Sequence, residues 1–514
     1  MPDDGVDVNT SGLTRARRLL RGWSANLFQM LLGIVQQVAL IPIFLHYWSS
    51  DTLAAWLAIY AAGNLVFITD CGLHLRAINR FFALRASVVC DARTAHFFAA
   101  MLRIYAMLVG LLIVLLLSAM FVLRPSASLG FTAVADFDLS FAVMILGTLL
   151  TVPANLATAL YRARGHYERA VRFQIWAMLI AQLGQLAAIT LTGSLLVVTL
   201  AYVIALAAMS LYIVCIDAPR LFPFLRGADG RRSWYWIVGQ FRLARPFGIA
   251  WATELALTNA PVLLVSAFVS DRVAVVQWGL TRVVAGLIRA LCTQTTLPLA
   301  AELGHDYAMG MKDELRSLYA RGSVLVSLLA SIAVSGLLAF WPDFFSIWTH
   351  GAVPDDPLLT ATLLIGTALA APSILALSYA NYSDRGTLLV WAKSLQFAVF
   401  LGLSLVLIPM LGPLGAAIAI VLCEVAVQFG LITIRILRQT LDRPFHHLAF
   451  LITMIAAVTL SGWGLGVGIR VTVPGGPVAH LVFEAALWVV IVMLAASPLS
   501  KAAVRNRLIA TIPQ

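Results

Sequence analysis

Apolar residues in this chain come in long runs separated by short, arginine-bearing polar turns, with neither the alternation of a half-buried strand nor the single stripe of a surface helix. About 20 consecutive apolar residues is what an α-helix needs to cross a hydrocarbon core of roughly 30 Å. Fourteen such runs are predicted, near 24–46, 54–75, 97–123, 139–161, 173–192, 195–217, 246–270, 274–299, 323–341, 359–380, 390–410, 414–434, 448–468 and 481–499. The pattern therefore predicts an all-α polytopic membrane protein.

Composition agrees. Of the 514 residues, 61% are hydrophobic and only 11% charged, and the mean hydropathy is +0.91. Soluble domains carry roughly 25% charged residues. The net charge of +11 raises the question of nucleic acid, but that function needs a basic patch with aromatic platforms on a soluble fold. Here the basic residues sit in turns between apolar runs, so topology explains them, membrane lipid is the expected surrounding partner, and no nucleic acid is expected.

Translocated loops are depleted in lysine and arginine. With the N-terminus inside, Arg124, Arg272 and Arg470 fall outside, and Arg103, Arg282 and Arg289 fall within spans. All the other basic residues then lie in cytoplasmic segments, with Lys393 counted in the turn before the eleventh span. Both termini are expected in the cytoplasm of a bacterial inner membrane. The first run follows Arg15, Arg17, Arg18 and Arg21 and lacks a small-residue cleavage site, so it reads as a retained span and not a signal peptide. Cys71, Cys90, Cys215, Cys292 and Cys423 show no motif spacing, so neither a disulfide nor a metal site is expected, and no cofactor.

The chain looks internally repeated. Pro153 in the fourth span and Pro372 in the tenth each precede a tyrosine and an Arg-Gly-bearing turn. Pro42 and Pro261 mark the first and seventh spans, whose hairpins turn at Asp51 and Asp271 with Trp56 and Trp278 following. The links "LTGSLL" and "MLGPLGAA" are both tight and glycine-bearing. Two parallel six-span halves, pseudo-symmetric about an axis along the membrane normal, are expected around a central cavity. The resulting division is a basic amphipathic N-terminus (1–23), an N-lobe (24–217), a basic linker (218–245), a C-lobe (246–434), a loop (435–447) and an appended helix pair with a tail (448–514). "LTRARRLLRGW" and "RRSWYWIVGQFRLARP" read as amphipathic elbows lying at the membrane surface.

Ionisable residues within spans are costly and mark function. In "TRVVAGLIRALCTQTT", Trp278 just upstream, Arg282, Gly286, Arg289, Thr293 and Thr296 recur every three or four residues and form one helical stripe. Such a stripe has to face protein or water. One reading ties each arginine to a fixed acid such as Glu254, joining two helices. The other makes a cationic wall for a phosphate-bearing substrate, since the guanidinium fork matches phosphate and keeps its charge. Gln29, Gln36 and Asn64 add polar support, and Glu254, Asp70 and Glu424 are candidates for ion coupling. Arg103 and Glu484, near span ends, read as snorkelling or structural.

There is no Gly-x-x-x-x-Gly-Lys loop, no zinc motif and no Gly-x-Ser-x-Gly elbow, and the outer loops are too short for a catalytic lobe. An enzyme is not expected. The opening "GWSANLFQMLLGIVQQVALIPIFLHYWSSDTLAAWLAIYAAGNLVFITDCGLHLRAINRF" resembles the start of polysaccharide biosynthesis transporters of the O-antigen flippase type. "LTNAPVLLVSAFVSDRVAVVQWGLTRVVAGLIRALCTQTTLPLAAELGHDY" is similar to their seventh and eighth spans, and "IPMLGPLGAAIAIVLCEV" to their eleventh-to-twelfth turn. One departure is that the acidic residue common near Asn259 to Pro261 is missing. The resemblance implies a flippase of the multidrug/oligosaccharidyl-lipid/polysaccharide exporter superfamily. Such a protein has two six-helix lobes and moves an undecaprenyl-pyrophosphate-linked oligosaccharide, an O-antigen or exopolysaccharide repeat unit of lipopolysaccharide type, from inner to outer leaflet by alternating access. It would add a polysaccharide polymerase and a chain-length regulator as partners. Two other readings stand beside it: drug/cation antiport within the same superfamily, and a membrane-embedded glycan polymerase or transferase.

Overall fold

The computed structural model describes residues 33, 38–85, 90–383, 386–472 and 476–497. Among them every regular element is helical, and thirteen helices are long and apolar enough to cross a membrane. They match the second to fourteenth predicted spans one for one, from Ser50–Asp70 to Pro477–Ala495. The protein is a multi-pass membrane protein. Only a helix closes all its backbone hydrogen bonds within one segment, so each apolar run takes this form in lipid. Of the first predicted span, the described part is the short helix Val38–Tyr47. Gln29, Gln36 and the amphipathic "LTRARRLLRGW" lie outside the described residues.

Turn chemistry sets the helix ends. Ser49 accepts from the Thr52 N–H, Asp271 from the Val273 N–H, and Asp356 from the Leu358 and Leu359 N–H groups, each capping a span. The two tight links turn on glycines with positive φ, Gly193 (φ 63°) and Gly412 (φ 60°). The segment before the seventh span is no separate elbow. It is helical from Trp234 and continues unbroken to Phe268. Gln240, Ala244 and Gly248 are buried along one side of its first half, where Ala244 and Gly248 meet the Cys71–Gly72 backbone at the end of the second span, while Trp234 and Tyr235 remain exposed.

The chain divides into two compact units, Met1–Trp251 and Ala252–Gln514. In the first unit the second span packs on the fourth, the fourth on the sixth, and the fifth on the sixth. In the second unit the eighth packs on the tenth, the tenth on the twelfth, and the eleventh on the twelfth. Each unit thus repeats the same set of helix pairings. The joint of fourth and sixth spans is Gly147 against Val203, and that of tenth and twelfth is Gly366 against Val421. Gly147 and Pro153 keep the same six-residue spacing as Gly366 and Pro372. The second unit also carries the last two helices, both packed on the ninth span, Lys312–Trp348. A Cβ on Gly462 would lie 2.6 Å from the Ser335 carbonyl oxygen, and one on Gly466 would lie 2.6 Å from Ala339 Cα, so this seam is backbone against backbone.

Candidate functional site

The eighth span is one helix, Arg272–Met309, and Arg289 stands near its midpoint. Arg282, Gly286, Arg289 and Thr293 form its partly open face. Gly286 is exposed with nothing within 4 Å of where a Cβ would stand, and Arg282 and Thr293 are half-buried. The Arg289 side chain is 28% exposed. The ends of the predicted stripe differ. Trp278 and Thr296 are fully buried, because the helix is packed against protein there, so Trp278 offers no surface to a ligand. The threonine protons are already spent: Thr293 Oγ1 donates to the Arg289 carbonyl oxygen and Thr296 Oγ1 to that of Thr293. That leaves the hydroxyl oxygens as acceptors, and the cationic side chains as the anion-attracting part of this face.

The acid paired with Arg289 is Glu424, not Glu254. Glu424, 3% exposed, opens a π-helical stretch of the twelfth span, Glu424–Thr433. The wider π turn sets Glu424 and Gln428 on roughly one face, a device frequent at functional sites. Gln428 belongs to a second cluster. There, Lys393 Nζ bonds Glu254 Oε1 and donates to Gln396 Oε1 at 2.9 Å and Gln428 Oε1 at 2.8 Å. Gln428 Nε2 in turn donates to Ser373 Oγ at 2.7 Å, and Thr253 Oγ1 donates to the Lys393 carbonyl oxygen at 3.3 Å. An ammonium has three donors and no acceptor, and three oxygens meet them here.

Lys393 corrects the sequence reading. It lies inside the eleventh span, which begins at Thr387, and its side chain is 0% exposed, so it is no loop residue. The signal was "WAKSLQF", where a lysine and a glutamine three apart share one helical face within an apolar run. Four charges, Glu254, Arg289, Lys393 and Glu424, therefore come from four different spans of the second unit and balance in sign. Each candidate coupling acid of this unit is held by a cation.

The first unit's candidates are more scattered. Asp70 ends a 3-10 turn of the second span and is buried. It accepts from Tyr105 Oη at 2.5 Å and the His74 N–H at 3.2 Å, and its Oδ2 lies 2.6 Å from His74 Nδ1. Asn64 is half-buried on the Ser50–Leu65 helix. Arg103 is exposed beside Asp229 at 3.4 Å, as expected for a snorkelling side chain. The Arg231 backbone N–H and the Arg103 charge hold the Asp229 carboxyl below the usual carboxylate range. In the second unit, buried Glu484 lies 3.4 Å from Arg470, which also pairs with Asp343 at 3.3 Å. That cluster ties the last two helices to the ninth. Among the described residues no group of three or more His, Cys, Asp or Glu side chains is placed to hold a metal ion.

No family model matches the chain, and no curated protein matches it. Solved structures do. A lipid II flippase, MurJ, in an inward closed conformation superposes with a TM-score of 0.67 at 12% identity, over 93% of this chain and 99% of that one. A multidrug resistance MATE family transporter of the MOP superfamily, inward-facing, gives 0.62 at 14% identity, over 84% and 95%. A MOP superfamily transporter from Pyrococcus furiosus, described by the reversed polarity of its binding pocket, gives 0.52 at 15% identity, over 86% and 95%. The chain thus has the MOP-type polytopic fold.

Proposed function

We propose that the protein is a membrane transporter that carries a lipid-linked oligosaccharide across the bilayer by its pyrophosphate, from the inner to the outer leaflet, by alternating access. The observation that carries this is the open face of the eighth span, where Arg282 and Arg289 flank an exposed glycine near the middle of a membrane helix. An arginine at that depth costs about 2.5–3.5 kcal/mol on the most lenient scale. A phosphate arriving from lipid repays it through bidentate, charge-assisted hydrogen bonds. A prenyl chain remaining in the bilayer is compatible with the long apolar helices, and the likeness in fold to a lipid II flippase supports the same class of substrate. The reading includes a bacterial inner membrane, cytoplasmic termini and no enzymatic step. The O-antigen or exopolysaccharide repeat unit is our reading of the resemblance; the fold lends no support to a polymerase or chain-length regulator as partner, and neither is included.

Drug/cation antiport is the second reading, favoured by the MATE likeness. It requires an acid free to bind a cation, whereas Glu254 and Glu424 are held by Lys393 and Arg289. Leaflet accounting in a deletion strain separates the readings. A flippase leaves lipid-linked units on the inner leaflet, a polymerase leaves them on the outer leaflet, and an antiporter changes neither.

The double substitution Arg282→Ala/Arg289→Ala, inserted at normal levels, is expected to reduce surface polysaccharide at least about ten-fold, since hydrogen bonds to a charged group are worth roughly 1.5–3 kcal/mol each. The corresponding lysine variants keep the charge but lose the fork, and should retain more transport. Unchanged polysaccharide in the alanine double variant would remove the arginines from the mechanism.

A further inference from the structure

Arg289 offers its guanidinium to two anions, and only one of them is fixed. The proposed pyrophosphate arrives and leaves. Glu424 stays, 3% exposed, on the π-helical stretch of the twelfth span. We infer that Glu424 is the internal counter-ion of the transport site: it occupies Arg289 when no substrate is bound, competes with the incoming phosphate, and retakes the arginine so that the phosphate is released. This rests on the phosphate reading of Arg289 given above.

Three features support the assignment. First, the pair is buried on the acid's side and open on the arginine's side, with Arg289 28% exposed and Gly286 leaving space one turn away. An anion can therefore reach the guanidinium from the open face without moving either helix backbone. Second, the fully buried Lys393 already has every donor taken. Lys393 is enclosed by Glu254, Gln396 and Gln428, so it offers no donor to a phosphate and does not compete for it. Lys393 thus takes no part in an exchange between Arg289 and Glu424. Third, the acid opens a π-helical stretch, a geometry rare in proteins and frequent at functional sites. Gln428, one turn on, is tied to Lys393 and Ser373 and anchors that stretch near its middle.

An arginine with no internal partner would hold a pyrophosphate too well, because binding that is not loosened at the far side of the cycle slows release. Glu424 lowers ground-state affinity and raises turnover. Its removal is expected to show as tight binding with slow transport, a split that a merely structural ion pair does not produce.

The test uses the full chain in nanodiscs with farnesyl pyrophosphate as the probe, and flipping of a fluorescent prenyl-pyrophosphate sugar in proteoliposomes. Glu424→Gln is expected to bind farnesyl pyrophosphate about ten-fold more tightly than wild type, the scale of one charge-assisted hydrogen bond, and to flip more slowly at saturating substrate. Glu424→Asp keeps the charge but shortens its reach, and should fall between the two, which keeps the test open if the glutamine variant folds poorly. If wild-type binding needs Arg289 but neither Glu424 variant tightens it, the counter-ion role is overturned and the phosphate reading stands. If Arg289→Ala leaves wild-type binding unchanged, the phosphate reading itself fails.

Discussion

Replacing Lys393 by methionine should lower the stability of the second unit by about 3 kcal/mol, and removing Glu254 instead should cost as much or more. Breaking a buried ion pair by deleting one partner costs roughly 3–5 kcal/mol, because the remaining charge is stranded. The two deletions strand different groups. Without Lys393 the remaining acid is Glu254, whose side chain is 32% exposed and so is not fully enclosed by protein. Gln396 and Gln428 lose a donor, though Gln428 retains Ser373. Without Glu254 the remaining cation is 0% exposed, and the two glutamine oxygens alone hold it. Glu254→Leu is therefore the harsher change.

The double variant Glu254→Leu/Lys393→Met discriminates between the pair as a net stabiliser and as a mutual requirement. A buried pair replaced by apolar groups of similar volume is often neutral. The double variant is thus expected to melt above either single variant, which with singles of about 3 kcal/mol each requires a coupling of more than about 3 kcal/mol, above the usual range for residues in contact. Thermal unfolding in detergent, followed by tryptophan fluorescence, measures all four corners of the cycle. A double variant whose loss equals the sum of the singles would show that the two side chains act separately.

Much of this architecture was legible in the sequence. Run length placed thirteen spans in the right order, because a single apolar run of that length satisfies all its backbone hydrogen bonds in lipid only as a helix. Repeated prolines and tight glycine links pointed to two similar halves, and the helix pairings within each unit have that form. The site was legible only in part. Spacing alone put Arg282 and Arg289 on one face, but it does not tell which acid a long side chain reaches across helices. Glu254 and Glu424 were equally available by depth; the structure gives Glu254 to Lys393 and Glu424 to Arg289, and the π-helical stretch on which Glu424 sits has no local sequence mark. Lys393 was misplaced for a related reason: one charge near the predicted edge of a span looks like a loop residue until its buried partners are known. Trp278 shows the opposite limit, since a residue on a polar stripe still packs fully where the helix end meets protein.

A change of sign is the expected result at the glycine joints. In the second unit a Cβ on Gly366 would overlap Val421 Cγ2, and in the first a Cβ on Gly147 would overlap Val203 Cγ1. Valine in a helix is almost confined to one rotamer, so it cannot swing aside and the helices have to part. Gly366→Ala should therefore destabilise the protein by about 1–3 kcal/mol, the usual cost of overpacking, despite alanine's intrinsic advantage over glycine of about 1 kcal/mol in a helix. In a Val421→Ala background the two γ-methyl contacts are gone and only the Cβ at 3.2 Å remains, so the neighbour has to give by a few tenths of an ångström and the same substitution should become near neutral or stabilising. Gly147→Ala, alone and with Val203→Ala, should behave in the same way. Each reversal is read within its own unit by thermal unfolding of the four-membered cycle. If the two cycles give similar couplings, the repeated spacing of glycine and proline reflects one joint used twice; if only one reverses, the resemblance of the halves stops at backbone topology.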